Sequence, residues 1–290
     1  MNLLIIGSSV VDEVHQNNII EIKAGGIFYT IVGLLFSSNY KMNIDLLTNY
    51  SDDFEFYFKP IYNQVNLIKH SLNNFMPNVK LNVYEERERE ETYSGFANSL
   101  TIHNEMELNN YDAILINMIS GIDISLEEIK KLRKLFKGII YLDIHSLARG
   151  FEDQNKRVFR QIEHSAEWLN SADIVQCNEN ELFTLGNSRN KELIIDQALK
   201  TNLKHLIVTK GKNGADIYSN TQSISQETSS TINAINTVGC GDIFGAVFFS
   251  SYISTNDINL SLKQSVKISS HFTQFKNVYD FLDKGVDIYD

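Results

Sequence analysis

Leu3–Ile6 is an unbroken apolar run stopped by Gly7, the pattern of a short strand buried on both faces. Comparable runs recur at Ala113–Met118, Gly138–Asp143, Asp173–Cys177 and Leu206–Thr209. Between them apolar residues return at helical spacing, which predicts amphipathic helices over Ser125–Phe136, Asn155–Leu169, Glu179–Leu185 and Lys191–Lys200. An earlier stripe, Ile27, Phe28, Ile31, Val32 and Leu35, predicts a helix across Gly25–Phe36 that opens on a glycine pair. Beyond Asp242 the pattern becomes two consecutive helices, over 242–254 and 259–275. Strand and helix alternate through the middle of the chain, which predicts an α/β fold: a mainly parallel sheet with helices on both faces.

Two stretches break this rhythm. Residues 12–24 and 79–103 carry β-branched and aromatic residues without a helical stripe, and they predict extended ribbon. In Glu85–Glu91, glutamates alternate with Arg87 and Arg89. On a strand both arginines fall on one side, with Glu86, Glu88 and Glu90 on the other. One reading is a solvated edge protected by charge. The other is a lid whose arginines reach a substrate. Only Pro60 and Pro77 occur, and no repeat or Pro-rich linker marks a hinge, so one domain over 1–290 is expected.

Composition narrows the partners. With 43% hydrophobic and 21% charged residues, the 290-residue chain can bury a sizeable core. Its 26 Lys+Arg against 36 Asp+Glu give a net charge of −10, which argues against nucleic acid and against an anionic membrane surface. Two cysteines, Cys177 and Cys240, build no disulfide framework, so a reducing, cytoplasmic setting is expected. Met1–Ser9 lacks the basic flank and apolar length of a signal segment, and Ile243–Tyr252 falls short of the ~20 residues that cross a bilayer. Nothing cleaved or inserted is expected.

The chemistry concentrates at Asn236-Thr237-Val238-Gly239-Cys240-Gly241-Asp242. Two glycines flanking one small residue let the backbone turn tightly and aim successive N–H groups one way. At a helix N-terminus such a nest binds anions. Asp242 falls in the first turn of a helix that is apolar almost all round. It reads as a plain N-terminal cap, or as an acid at the floor of a cleft. A carboxylate beside an anion nest points to phosphoryl transfer with a general base. The helix terminus favours its ionised, weakly basic form, which suffices because the attacking alcohol becomes acidic only as its bond to phosphorus forms.

Gly239-Cys240-Gly241-Asp242 resembles the Gly-Ala-Gly-Asp signature of the PfkB/ribokinase family of carbohydrate and nucleoside kinases. Other stretches agree in order. Gly7 through Asp12 resembles the first strand and its hydroxyl-binding aspartate, and Gly25-Gly26 resembles the substrate di-glycine. Asn178-Glu179-Asn180-Glu181 resembles the Asn-x-x-Glu magnesium motif, and Thr209 through Gly214 the nucleotide loop. The resemblance implies a ribokinase-like three-layer fold with a small β lid made from 12–24 and 79–103. It implies ATP with Mg²⁺, transfer of the γ-phosphate to a hydroxyl of a sugar or sugar-containing substrate, and Asp242 as base. Backbone amides of Gly239, Cys240 and Gly241 would hold the anion. Thr209, Gly211 and Gly214 would take the nucleotide, Asn178 and Glu181 the metal, and Asp12, Gly25, Gly26, Thr30 and Arg149 the acceptor. A homodimer through the lid is left open.

Departures from the pattern bear on detail. Asn236 stands where the family usually has Asp, which puts potassium activation in doubt, and Thr30 stands where many sugar-specific members have Asn. Cys240 replaces Ala, and a thiol beside a helix N-terminus is a candidate for reactivity. Phe28 and Tyr29 read as core or as a stacking surface, while Asp143 and His145 could line the cleft. The alternative is a diverged nucleotide- or sugar-binding regulatory protein of the same fold.

Overall fold

The structure, a computed structural model, describes residues 1–37, 42–69, 75–84, 89–102, 106–228 and 234–284. Among the described residues the main sheet has nine strands, in the order 223–226, 215–218, 205–209, 174–178, 139–143, 113–117, 2–6, 43–48 and 66–69. The strand 215–218 pairs antiparallel with both of its neighbours, 223–226 and 205–209, and all other neighbours run parallel.

Alternation along each strand divides the core in two. Leu3 and Ile5 pack with Ala113, Leu115 and Tyr141 under the helices Ile27–Phe36, Cys240–Thr255 and Ile258–Phe272. Leu4 and Ile6 pack on the opposite face with Ile114, Ile116 and Leu142, under Leu126–Leu135 and Lys191–Leu199. Three layers result. The five apolar runs read as buried strands all lie in this sheet, and the last two helices lie within two to three residues of their expected bounds.

The stretches read as ribbon contribute to a separate four-stranded sheet, in the order Ile19–Gly26, Ser9–Gln16, Asn78–Asn82, Glu90–Ser94, but the described residues 83–84 and 95–102 lie in no strand. Asn17 and Asn18, with φ of 50° and 63°, make the tight turn of its hairpin. Arg87 and the rest of 85–88 lie outside the described residues, as does 103.

Some expectations fail. Asn155–Leu169 is not one helix: Arg157–Phe159 is a strand paired with Arg149–Phe151, and only Ser165–Asn170 is helical. Gln154 and Asn155 adopt φ of 61° and 60°, reversing the chain where a helix would continue. The Arg157 guanidinium lies 4.2 Å above the Phe151 ring and holds that hairpin closed. The helix read over Glu179–Leu185 ends at Leu182. Four strands of the main sheet, those at 43–48, 66–69, 215–218 and 223–226, were not legible beforehand, nor was the helix Glu55–Tyr62, which holds Pro60 inside it.

Candidate active site

The parallel strands end at their carboxyl edge on a cleft of about 970 Å³. At its floor the helix Cys240–Thr255 begins, buried from Ile243 to Ser251 as its apolar girth requires. Gly239 precedes it with φ 83°, and a Cβ there would strike the Tyr29 ring at 2.3 Å, so only glycine fits. The Cys240 amide donates to the Thr237 carbonyl at 3.3 Å. Those of Gly239, Gly241 and Asp242 meet no acceptor among the described residues. A Cβ on Gly241 would touch nothing within 4 Å, so this turn is open to the cleft.

Asp242 is half-buried and lines both the cleft and a smaller pocket of about 30 Å³ beneath the lid. Its Oδ1 accepts a 2.7 Å hydrogen bond from Asn117 Nδ2. Burial raises its carboxyl above the ordinary range, opposed by His145, Asn117 and Arg89. The base is thus stronger than the helix terminus alone would leave it.

Asp12, on the lid strand Ser9–Gln16, shares the small pocket and is buried without a hydrogen-bond partner among the described residues. Burial pushes its carboxyl up to about 7, against the pull of Arg89 and Lys23. Gly25 makes room for it. Gly26, at φ 65°, turns the chain into the helix Ile27–Phe36, where a Cβ would meet the Ser8 carbonyl at 2.4 Å. Phe28 and Tyr29 are core residues, and Tyr29 also walls the pocket.

The lid contributes Arg89, which directly precedes the strand Glu90–Ser94 and lines the small pocket together with Glu91 and Tyr93 of that strand. Arg89 Nε donates to Glu91 Oε1 at 2.8 Å, and its terminal nitrogen lies 3.4 Å from His145 Nε2. Burial opposes ionisation of Glu91, yet Arg89, Arg149 and His145 hold its carboxyl down at about 2. Arg149 is buried, stacks 4.4 Å above the Phe159 ring and lines the cleft.

Asn178 and Glu181 form a capping box. Asn178 accepts from the amides of Asn180 and Glu181, and Glu181 Oε2 accepts from the Asn178 amide at 2.8 Å. The second Glu181 oxygen, Oε1, is buried without a hydrogen bond among the described residues and stands 3.4 Å from His145 Nδ1. Across the cleft Thr209, Gly211 and Gly214 form a loop in which Gly214, at φ 87°, lies so close to Gln226 that a Cβ would fall 1.9 Å from its carbonyl oxygen. Lys210 on this loop pairs with Asp216 at 2.6 Å.

Most residues singled out in the sequence converge here, Asp143 and His145 included. Thr30 lines neither space: its hydroxyl accepts from Asn117 Nδ2 at 3.1 Å. The Asn236 side chain accepts from the Val238 amide and shapes the turn before the nest. Burial pushes the Cys240 thiol up to about 12, which removes the reactivity its position suggested. Asn117, Glu91 and Gln176 were overlooked. Asn117 and Gln176 did leave a signal, a carboxamide within an otherwise apolar strand run. Gln176 Nε2 donates to Asp143 at 2.8 Å and to the Gly241 carbonyl at 3.1 Å, tying the sheet edge to the nest.

A buried helix start with open amides, an acid beside it and a pocket of carboxylates is an arrangement with the chemistry to move an anionic group onto an alcohol. Residues 151–283, which hold the 178–181, 209–214 and 239–242 segments, match the model of the pfkB family carbohydrate kinases. No curated protein matches the sequence. Among solved structures, the chain is similar to a pyrophosphate-dependent kinase in the ribokinase family complexed with a pyrophosphate analog and myo-inositol (TM-score 0.75, 16% identity, covering 97% of this chain and 98% of that one). It is also similar to adenosine kinase from Sinorhizobium meliloti (TM-score 0.75, 14% identity, 95% and 94% covered). Ribokinase from Arabidopsis thaliana complexed with ribose and ATP is a third (TM-score 0.70, 17% identity, 97% and 98% covered). The fold is ribokinase-like. The ribokinase-like fold that the motifs implied is borne out, and the part of the chain carrying the last three motifs matches the carbohydrate-kinase model. Among the described residues no helix is long and apolar enough to cross a membrane.

Proposed function

We propose that this chain transfers the γ-phosphate of ATP to a hydroxyl of a sugar or sugar-containing small molecule held under the lid. The observation that carries the reading is the pairing of the unpartnered Gly241 and Asp242 amides with the Asp242 carboxylate at one helix start. The acceptor oxygen attacks the γ-phosphorus, the bond from phosphorus to the β,γ-bridging oxygen breaks, and the hydroxyl proton passes to Asp242. The amides face the charge on the transferred group. Asp12 accepts hydroxyl protons of the sugar, and Arg89 closes over it from the lid.

The cleft beside the 209–214 loop is roomier than pyrophosphate needs, which favours a nucleotide donor. The orphaned Glu181 Oε1 and the neighbouring Asn178 suit a Mg²⁺ ion held through its waters. Mg²⁺ would supply charge neutralisation on the phosphates. Asn236 brings no charge for a monovalent cation, which puts K⁺ activation in doubt and leaves it to the assay below. Free cysteines fit a reducing cytoplasm. The lid edge Ile19–Gly26 exposes Ile19, Ile20 and Ile22, each at least half accessible, and a homodimer through this edge fits them. Sedimentation velocity of the protein and of Ile20→Lys tests that: a dimer that the variant converts to monomer is expected.

The direct assay supplies MgATP, or pyrophosphate in a parallel arm, with D-ribose, D-fructose, adenosine and myo-inositol, with and without K⁺. ATP-dependent phosphorylation of at least one acceptor is expected. Bound nucleotide without turnover on any acceptor would contradict the reading.

A further inference from the structure

We infer that Asn117 is a positioning residue for the base: its carboxamide holds the Asp242 carboxylate, and Thr30 accepts the second hydrogen of the same amide and steadies it. The inference rests on the reading of Asp242 as the base.

Asn117 closes the strand Ala113–Asn117, whose other members are Ala, Ile, Leu and Ile, and it is 1% exposed. An apolar residue would continue that pattern and satisfy the core. Asn117 instead brings in an oxygen, Oδ1, that is buried without a donor among the described residues. A buried unsatisfied polar atom costs stability, and such departures from local consistency concentrate where function demands them. What Asn117 supplies in return is its NH₂ group. One hydrogen serves Asp242 Oδ1 at 2.7 Å, and the other serves Thr30 Oγ1 at 3.1 Å.

The two bonds have different work. A carboxamide has two faces of similar shape, and the reversed one would set its oxygen against the carboxylate, acceptor against acceptor. The ionised Asp242, which can only accept, selects the productive face, and Thr30, fixed on the helix Ile27–Phe36 and itself buried, takes the second hydrogen and steadies the carboxamide there. Asp242 Oδ1 is then tethered, and Oδ2 remains for the acceptor hydroxyl. The bond also favours the ionised carboxylate, the form a base must have.

The test uses the whole protein with Asn117→Leu, Thr30→Val, Thr30→Ser and Asp242→Asn. The titration midpoint of Asp242 is read by ¹³C NMR on protein labelled at the aspartate carboxyl carbon, its signal assigned by its loss in Asp242→Asn. Turnover is read with MgATP and whichever of ribose, fructose, adenosine and myo-inositol is phosphorylated fastest. Asn117→Leu is expected to melt no lower than the unmodified protein, to lose at least about tenfold in kcat with both KM values held within about twofold, and to raise the midpoint by about one pH unit. Thr30→Val is expected to shift both in the same direction by less, and Thr30→Ser to recover most of that loss. An unchanged midpoint and kcat in Asn117→Leu, while Asp242→Asn is inactive, overturn this inference alone. Full turnover in Asp242→Asn overturns the base and this inference together. Thermal denaturation at markedly lower temperature in Asn117→Leu, with no shift in Thr30→Val, assigns Asn117 to packing and also overturns it.

Discussion

A Cβ on Gly25 would lie 2.2 Å from the carboxyl carbon of Asp12, so the missing side chain of one residue is the space that the other's carboxylate occupies. The two stand on adjacent strands of the lid hairpin, where Gly25 faces Val10 and Asp12 faces Lys23. The di-glycine is therefore more than a turn: it lets a charged group sit flat against the backbone.

Gly25→Ala is expected to push Asp12 out of place without unfolding the lid. Overpacking of this kind costs about 1–3 kcal/mol. Steady-state kinetics should show acceptor KM raised at least about tenfold with donor KM unchanged, since misplacement by about 1 Å is enough for such losses. Equal changes in both constants would mean that Asp12 does not hold the acceptor.

Asp12 also sets a pH dependence. Burial lifts its carboxyl to about 7 from 3.8, so between these values the folded protein holds a proton that the unfolded chain has released. Its contribution to stability is full below about pH 4 and is lost as pH rises through 7. The melting temperature of the unliganded protein should accordingly carry a downward component from pH 4 to pH 7 that Asp12→Asn abolishes. Hydroxyl donors need the ionised form, so acceptor KM should fall as pH rises through 7. Glu91 acts in another window: held at about 2, it withdraws stability only as pH drops from about 4.5 toward 2.

The nucleotide loop separates two glycines that look alike in sequence. Gly211 has φ 54° with nothing within 4 Å of its missing side chain among the described residues, whereas Gly214 has φ 87° and a carbonyl oxygen 1.9 Å from where Cβ would be. Gly211→Ala is expected to cost about 1–2 kcal/mol of strain and little donor affinity. Gly214→Ala is expected to raise donor KM by about tenfold or more and to leave acceptor KM alone. Isothermal titration with MgATP distinguishes them, and equal affinities in the two variants would remove the loop from the donor site.

The order of these elements explains what could be read in advance. Buried parallel strands announce themselves as unbroken apolar runs, and Leu3–Ile6, Ala113–Met118 and Leu206–Thr209 did so because both faces of the sheet are covered. The edge strand Ser223–Gln226 alternates serine with other residues and is half exposed, so it carries no such run. The failure at 155–169 has a different origin. Helical spacing was present, but a reversal at Gln154–Asn155 and the pairing of Arg149 with Phe159 outweighed it. Glycines and acids at strand ends gave most of the site. Glu91 was hidden within a run of like residues, and only the inward parity it shares with Tyr93 distinguishes it from its neighbours.

The central claim is that the acid at the start of the helix Cys240–Thr255 takes the proton of the attacking alcohol. Single-turnover phosphoryl transfer by Asp242→Asn, at saturating MgATP and acceptor, tests it most directly. A rate lower by about 10²–10⁴-fold, with ATP affinity and melting temperature retained, is the predicted result. A rate within a few-fold of the unmodified protein would contradict it.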